Sequence, residues 1–372
     1  MSHWIKTIVL LCFHVAICNG QLLQPASVEI SNKTYQVVYL TRGGFGKPAT
    51  ALLQTAEGSQ GTALFLFRTN TTSATLSMKT GEGYLLTLTP TSTNLSRIPK
   101  LPAGGIDAIT NAPPRIGKLD LGAGSLVVAD AANPISIDVL VLYTASAAAR
   151  VGGDAAIITL ANQAAAEANQ AFLDSQVYVT VNLVGIVPVN PAYTESGSLA
   201  TELGRVAFSG DGYMEEAQTL RNQYGADMVS LFCNARDPYY AGIGYLLPAG
   251  SDLAYTAIEV AYIVGHYVFA HELGHNLGCH HDRANATSPG FYPYSYGYNF
   301  LANNVRWGTV MSYPGVRLGY FSNPNVSFLG VPVGTANENN ALGINQRAAA
   351  IAALRSPPTA TLTLTKNGTG SI

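Results

Sequence analysis

The chain has 372 residues, 48% hydrophobic and 11% charged, with 37 Gly, 19 Pro and 4 Cys. That apolar content excludes a disordered chain, and 20 basic against 22 acidic residues, net −2, leave no basic excess for a nucleic-acid partner. Past residue 20 no apolar run approaches the roughly 20 residues of a bilayer span, so stable membrane insertion is not expected, and the length suggests about two domains.

Residues 1–20, MSHWIKTIVLLCFHVAICNG, place Lys6 before an apolar stretch from Thr7 to Cys18 and end on small residues. This is the layout of a secretory signal peptide cut before Gln21, and the stretch is short for the alternative, an N-terminal membrane anchor. The chain is therefore expected to be secreted, extracellular or periplasmic. Removal of the signal takes Cys12 and Cys18 with it. Cys233 and Cys279 remain, and two cysteines in an exported chain are expected to pair. The alternatives are two buried thiols, or a Cys279 thiolate lent to a metal.

Residues 21–130 read as short strands and turns: LFLFRTN (64–70), SATLSMKT (73–80) and YLLTLTP (84–90) are β-rich and separated by polar and Gly breaks. A Pro-, Gly- and Ala-rich stretch, RIPKLPAGGIDAITNAPPRIG, follows as a linker. No His or Cys occurs between Gln21 and Ala132, so metal ligands are not expected there.

From about Pro134 strands and helices alternate. ISIDVLVLYT (135–144) is a buried strand, DAAIITLANQAAAEANQAFLDS (154–175) an Ala-rich helix, and VYVTVNLVGIVPV (177–189) the next strand. A helix near 215–224 leads to the strand DMVSLFCN (227–234); GIGYLL (242–247) and YTAIEVAYI (255–263) continue the sheet. The order implies an α/β layer on a largely parallel sheet with right-handed crossovers. Beyond Asp282 the chain turns irregular, a helix over about 338–354 closes the domain at 134–356, and residues 357–372 read as a tail or linker.

Five of the seven histidines lie between His266 and His281, and the window contains HELGHNLGCHH, residues 271–281. His271 and His275, four apart on a helix, project from one face and can grip one ion, with Glu272 placed to polarise a water on it. His281 lies ten residues past His271, a rise of about 15 Å along a straight helix, far beyond metal–nitrogen bonds of about 2 Å. The helix must therefore stop and double back, and Gly278 supplies the left-handed turn. Ordinary residue frequencies give HExxHxxGxxH in about one chain in 10⁵ of this size. A structural zinc site would usually close with four protein ligands including Cys, whereas three His leave a position open for water.

These residues resemble the metzincin superfamily of zinc peptidases. The resemblance implies a single catalytic Zn²⁺ on His271, His275 and His281, Glu272 as general base, and a Met-turn at TVMSY (309–313), with Met311 as the hydrophobic floor. Tyr313 matches the tyrosine that astacins and serralysins place near zinc, where it would steady the oxyanion. Asp282 after the third His is similar to reprolysins. The run from IDVLVLYT through HELGHNLGCHHD to GYFSNPNVSFLGVPVGTANENN, about Ile135–Arg355, is similar to bacterial peptidyl-Asp metalloendopeptidases.

The resemblance implies a twisted, mostly parallel five-stranded sheet above an active-site helix, an irregular lower subdomain, and a β-rich propeptide before them. The rim strand Gly242, Ile243, Gly244, Tyr245 would pair with an extended substrate, or is simply an edge strand. If an aspartyl preference carries over, Arg317, or Arg306 before the Met-turn, suits capture of the substrate carboxylate; both are otherwise surface charges. Asp107 in GGID is a turn residue or, as in astacins, a plug for the metal. The expected protein is a monomeric secreted zinc endopeptidase acting on peptides or proteins. A catalytically silent metal-binding module of the same fold is the alternative.

Overall fold

The computed structural model of the chain describes residues 27–31, 33–39, 49–68, 71–78, 80, 82–88, 93–101, 110–111, 127–248 and 251–355. The expected signal peptide, Asp107 and the tail from 357 lie outside the described residues.

A seven-stranded antiparallel sheet forms first, in sequence order: β1 (Ser27–Ile30), β2 (Lys33–Tyr39), β3 (Ala49–Thr55), β4 (Gly58–Arg68), β5 (Thr71–Met78), β6 (Gly83–Leu88) and β7 (Thr93–Ile98). Every connection joins neighbours, so the strands need only local turns. Alternation of apolar and polar residues puts Val28, Ile30, Leu53, Phe65, Leu76, Leu86 and Leu88 on one buried face.

The second sheet has the order β10-β9-β11-β13-β12-β8. Its members are β8 (Thr110–Asn111), β9 (Ile135–Tyr143), β10 (Val179–Pro188), β11 (Met228–Cys233), β12 (Gly242–Leu246) and β13 (Tyr255–Glu259). Pairings among β10, β9, β11 and β13 are parallel, and β12 runs antiparallel to β13. The sheet therefore has six strands where five were expected. The extra one, β8, comes from the stretch read as a linker and pairs in parallel with Tyr245 and Leu246 of β12.

Helices α1 (Ala145–Val151), α2 (Asp154–Asp174), α3 (Leu199–Ala207), α4 (Glu216–Tyr224), α5 (Val268–Asn276) and α6 (Asn340–Ile351) accompany this sheet. Helix α2 buries Ala161, Ala164, Ala168 and Ala171, small side chains that admit a close approach, together with the large ring of Phe172. Helix α1 was not read from the sequence, yet its signals are local. Thr144 accepts from the Ala147 amide at its start, and Gly152 at φ 107° closes it.

The region beyond Asp282 is less irregular than expected. β14 (Asn299–Ala302), β15 (Val305–Gly308) and β16 (Val316–Arg317) make a small sheet, and β17 (Ser327–Phe328) pairs with β18 (Val331–Pro332). They enclose a separate core of Phe300, Trp307, Leu318, Phe328 and Val333.

The two large sheets meet at α2. Ser73 Oγ donates to Gln163 Oε1 at 2.7 Å, Gln163 Nε2 donates to Thr75 Oγ1 at 3.0 Å, and Thr75 also hydrogen-bonds Glu167. Glu167 in turn accepts from the Gly265 amide at 3.1 Å. Desolvation pushes the Glu167 carboxyl up to about 8.

Candidate active site

Helix α5 carries the motif and is buried along its whole length. It begins after Tyr267 in the left-handed region, φ 56°, whose carbonyl accepts from the His271 amide at 2.8 Å. It ends as the glycine argument requires. Gly278 has φ 90°, its amide donates to His275 O and that of Cys279 to Gly274 O, both at 2.9 Å. A Cβ on Gly278 would also lie 2.7 Å from Arg347 Nη1 and from Phe291 Cβ. Gly278 is needed for its backbone angle and for room.

His271, His275 and His281 are buried, and their ligand atoms all lie within 4.8 Å of one another. His271 Nδ1 meets Val310 O at 2.7 Å and His275 Nδ1 meets Cys279 O at 2.8 Å. A carbonyl can only accept, so both Nδ1 atoms carry the hydrogen and both Nε2 atoms present lone pairs inward. Those two Nε2 atoms stand 3.1 Å apart. Two lone pairs facing at that distance repel unless a cation lies between them. The donor set, three clustered imidazoles of which His271 and His275 are oriented by backbone carbonyls, is chemistry that suits zinc.

Met311 is fully buried and packs where Gly274 of α5 leaves space, since a Cβ there would sit 2.6 Å from Met311 Sδ. Gly297 accommodates the turn's backbone from the other side, 2.5 Å from Met311 O by the same measure. The Tyr313 ring lies 4.2 Å from that of His281, centroid to centroid. Its amide donates to Asp282 Oδ2 at 3.0 Å, and Asp282 also accepts from Asn285 Nδ2. Asp282 thus ties the loop after the third histidine to the Met-turn.

Arg317 is half-buried at the same turn. Its Nη1 donates to Val310 O at 2.6 Å and lies 3.3 Å from His271 Nδ1, and its Nη2 donates to Ser312 O at 2.8 Å. The guanidinium brackets Met311 and shares the carbonyl that orients His271. Arg306, the other candidate, is exposed and donates to Asn299 Oδ1.

The expected disulfide is not formed. Cys233 and Cys279 are both free, buried thiols. Cys233 ends β11 and donates to Ile258 O at 3.6 Å, with Glu259, Glu202 and Glu195 around it, whereas Cys279 follows α5 near Arg347. Burial pushes both thiols well above their ordinary pKa, so neither is poised as a thiolate ligand.

Sequence reasoning passed over Asn276, an unspecified position inside HELGHN. It is fully buried and its Nδ2 donates to Tyr245 O at 2.8 Å and Tyr255 O at 3.3 Å, fastening β12 and β13 to the active-site helix. A polar residue on a helix face that is otherwise all core was the available signal. Two further buried polar side chains also find backbone partners. His266 Nε2 contacts Pro99 O at 3.0 Å, and Glu259 accepts from the Arg236 amide at 2.8 Å.

Helix, glycine turn, three clustered histidines and a buried methionine together make a candidate metallopeptidase centre. Residues 133–322 match the family described as Metallo-peptidase family M12. Peptidyl-Asp metalloendopeptidase of Stenotrophomonas maltophilia strain R551-3 is 36% identical over 267 residues, 70% of this chain and 59% of the relative. The enzyme of the same name from strain K279a is 33% identical over 325 residues, 84% of this chain and 76% of its own length. Metalloproteinase-II from Bacteroides fragilis aligns over 84% of this chain and 86% of its own at 10% identity, with a TM-score of 0.41. The chain belongs to metallo-peptidase family M12. It spans 59% of the length of the strain R551-3 relative.

Proposed function

We propose that the chain is a secreted zinc-dependent endopeptidase that hydrolyses peptide bonds, with a preference for the amino side of Asp. The observation that carries this is the pair of inward Nε2 atoms of His271 and His275, 3.1 Å apart, with His281 beside them. His271, His275 and His281 would hold the ion, which supplies Lewis acidity to activate a water and polarise the scissile carbonyl.

The chain's own residues do the rest. Glu272, fully buried on the same helix, takes the proton of the attacking water and passes it to the leaving amine. Tyr313, its ring tilted over that of His281, donates a hydrogen bond to the developing oxyanion. Met311 excludes water from beneath the ligands. The outer edge of β12 receives the extended substrate by strand addition. Arg317, held at the Met-turn through Val310 O and Ser312 O, is the cation that faces an acidic substrate side chain.

The N-terminal sheet is read as a propeptide. The seat of β8 on the substrate edge of β12 supports this, because a peptide and β8 compete for the same backbone groups at Tyr245 and Leu246. Exposed Asp130, in the turn before β9, is a site where self-cleavage would separate the two units.

The test is peptide cleavage by the purified, processed chain with and without a zinc chelator, cut sites mapped by mass spectrometry. Chelator-sensitive cuts clustered before Asp are expected. Zinc-loaded, folded protein that leaves all peptides intact contradicts the reading and favours a silent metal-binding module.

A further inference from the structure

Residues 242 and 244 lie two apart in β12 and so share one face of the strand. Both are glycine, and neither has a positive φ, so no turn requires them. Their neighbours explain the choice. A Cβ on Gly242 would stand 2.4 Å from Glu272 Oε1, 2.9 Å from Glu272 Cδ and 2.8 Å from Val268 Cγ1. A Cβ on Gly244 would stand 3.2 Å from Glu272 Oε2 and 3.1 Å from Glu272 O. The carboxylate lies along the strand, one oxygen beneath each glycine. The intervening Ile243 and the following Tyr245 have the opposite parity, and the Tyr245 ring meets that of Phe208 just past α3.

We infer that Gly242 and Gly244 are positioning residues whose missing side chains seat the Glu272 carboxylate against the rim strand. The inference rests on the proposed role of Glu272 as general base. One strand then performs two tasks: its outer edge fixes the substrate backbone, and its helix-facing surface fixes the base. The base is placed relative to the scissile bond by the element that holds the substrate.

A methyl group at 242 cannot coexist with Oε1 at 2.4 Å, so one of them must move by nearly an ångström to reach ordinary contact. If the carboxylate moves, kcat falls while KM is kept. If the strand moves, KM for extended peptides rises instead. The fixed element is the strand, paired to β13 on one side and fastened by Asn276 through Tyr245 O. Misplacement of a reacting group by about 1 Å costs on the order of 100-fold in rate.

The test compares Gly242→Ala, Gly244→Ala, Glu272→Gln and, as a control, Gly204→Ala on α3, where a Cβ would meet nothing within 4 Å. In zinc-loaded protein, Gly242→Ala is expected to lose about 100-fold in kcat with KM and zinc stoichiometry unchanged. Gly244→Ala, with the smaller clash, loses less, and the control loses nothing. A double-mutant cycle adds a readout that general destabilisation would not move. Glu272→Asp withdraws the carboxylate from the methyl, so its cost in the Gly242→Ala background is smaller than in the parent.

Full kcat in folded, zinc-loaded Gly242→Ala overturns the proposal, as do losses that simply multiply in the cycle. If Gly242→Ala does not fold, Gly244→Ala carries the same comparison. Activity retained by Glu272→Gln removes the base itself, a failure distinguishable from that of the cradle.

Discussion

The N-terminal sheet and the motif region bury their polar groups in opposite ways. Among the described side chains of β1–β7 the buried polar residues are Thr72, Ser73 and Thr75, all on one strand, and Ser73 and Thr75 face α2. Between His271 and Asp282, by contrast, seven of twelve residues are buried polar or charged: His271, Glu272, His275, Asn276, His280, His281 and Asp282. A buried polar group without a partner costs about 1–3 kcal/mol. Such a density can persist only where each group is held by a neighbour or by a ligand. The first region is a sheet that alternation alone explains. The second is a site.

The largest break in that contrast is loss of a ligand. His275→Ala removes one of the two facing Nε2 atoms, and we expect peptidase activity to fall by more than about a thousandfold, the scale of the several kcal/mol a metal supplies. The variant should also lose the stabilisation that zinc confers on the parent in thermal unfolding. Unchanged metal content by atomic absorption would break the assignment.

Asp282→Ala comes next, because it frees the Tyr313 amide and Asn285 from their shared acceptor. The expected effect is a 10- to 100-fold gain in the rate at which a chelator strips zinc, typical of residues that brace metal ligands. An unaltered stripping rate would show that the Met-turn stands without it.

Gly278→Ala sharpens the geometry of the turn. It forces a side chain into φ 90° and against Arg347 and Phe291, and should lower stability by about 1–3 kcal/mol in denaturant unfolding. Wild-type stability would mean that α5 does not need this ending.

The smallest expected effect lies where the two regions meet. Glu167, held by Thr75 and Gly265, has its carboxyl raised by burial from 4.5 to about 8. A raised acid favours the closed contact fully below its unperturbed pKa, and that contribution is lost as pH rises through the raised one. Hydrogen exchange in β5 and α2 of the full chain should therefore quicken as pH climbs from about 4.5 to about 8, after correction for intrinsic exchange. Glu167→Gln should flatten that trend. A slope that survives the substitution would place the titration elsewhere.

Much of the arrangement was legible because local rules decide it. β-Rich segments between polar and Gly breaks marked β4–β6, Ala-rich periodicity marked α2, and the spacing of His271, His275, Gly278 and His281 forced the helix to turn back. What stayed hidden depends on tertiary neighbours. β8 sits in a Pro- and Gly-rich stretch and exists as a strand only because β12 offers it an edge. Asn276 gains its role from two carbonyls far away in sequence. The disulfide inference failed for the same reason: a count of cysteines carries no information on whether two thiols share a neighbourhood. Arg317, read from the sequence as a substrate cation, also donates to the Met-turn carbonyls Val310 O and Ser312 O, contacts that only the fold reveals.

The claim that most depends on the buried polar stretch is that His271, His275 and His281 hold one zinc ion. X-ray absorption at the zinc edge on the purified, zinc-loaded chain addresses it directly. We expect one zinc per chain with nitrogen or oxygen neighbours at about 2.0–2.1 Å, three of them imidazole, and no sulfur. A sulfur shell at about 2.3 Å, the distance of a cysteine thiolate such as that of Cys279, would contradict the account, as would a chain that retains no zinc.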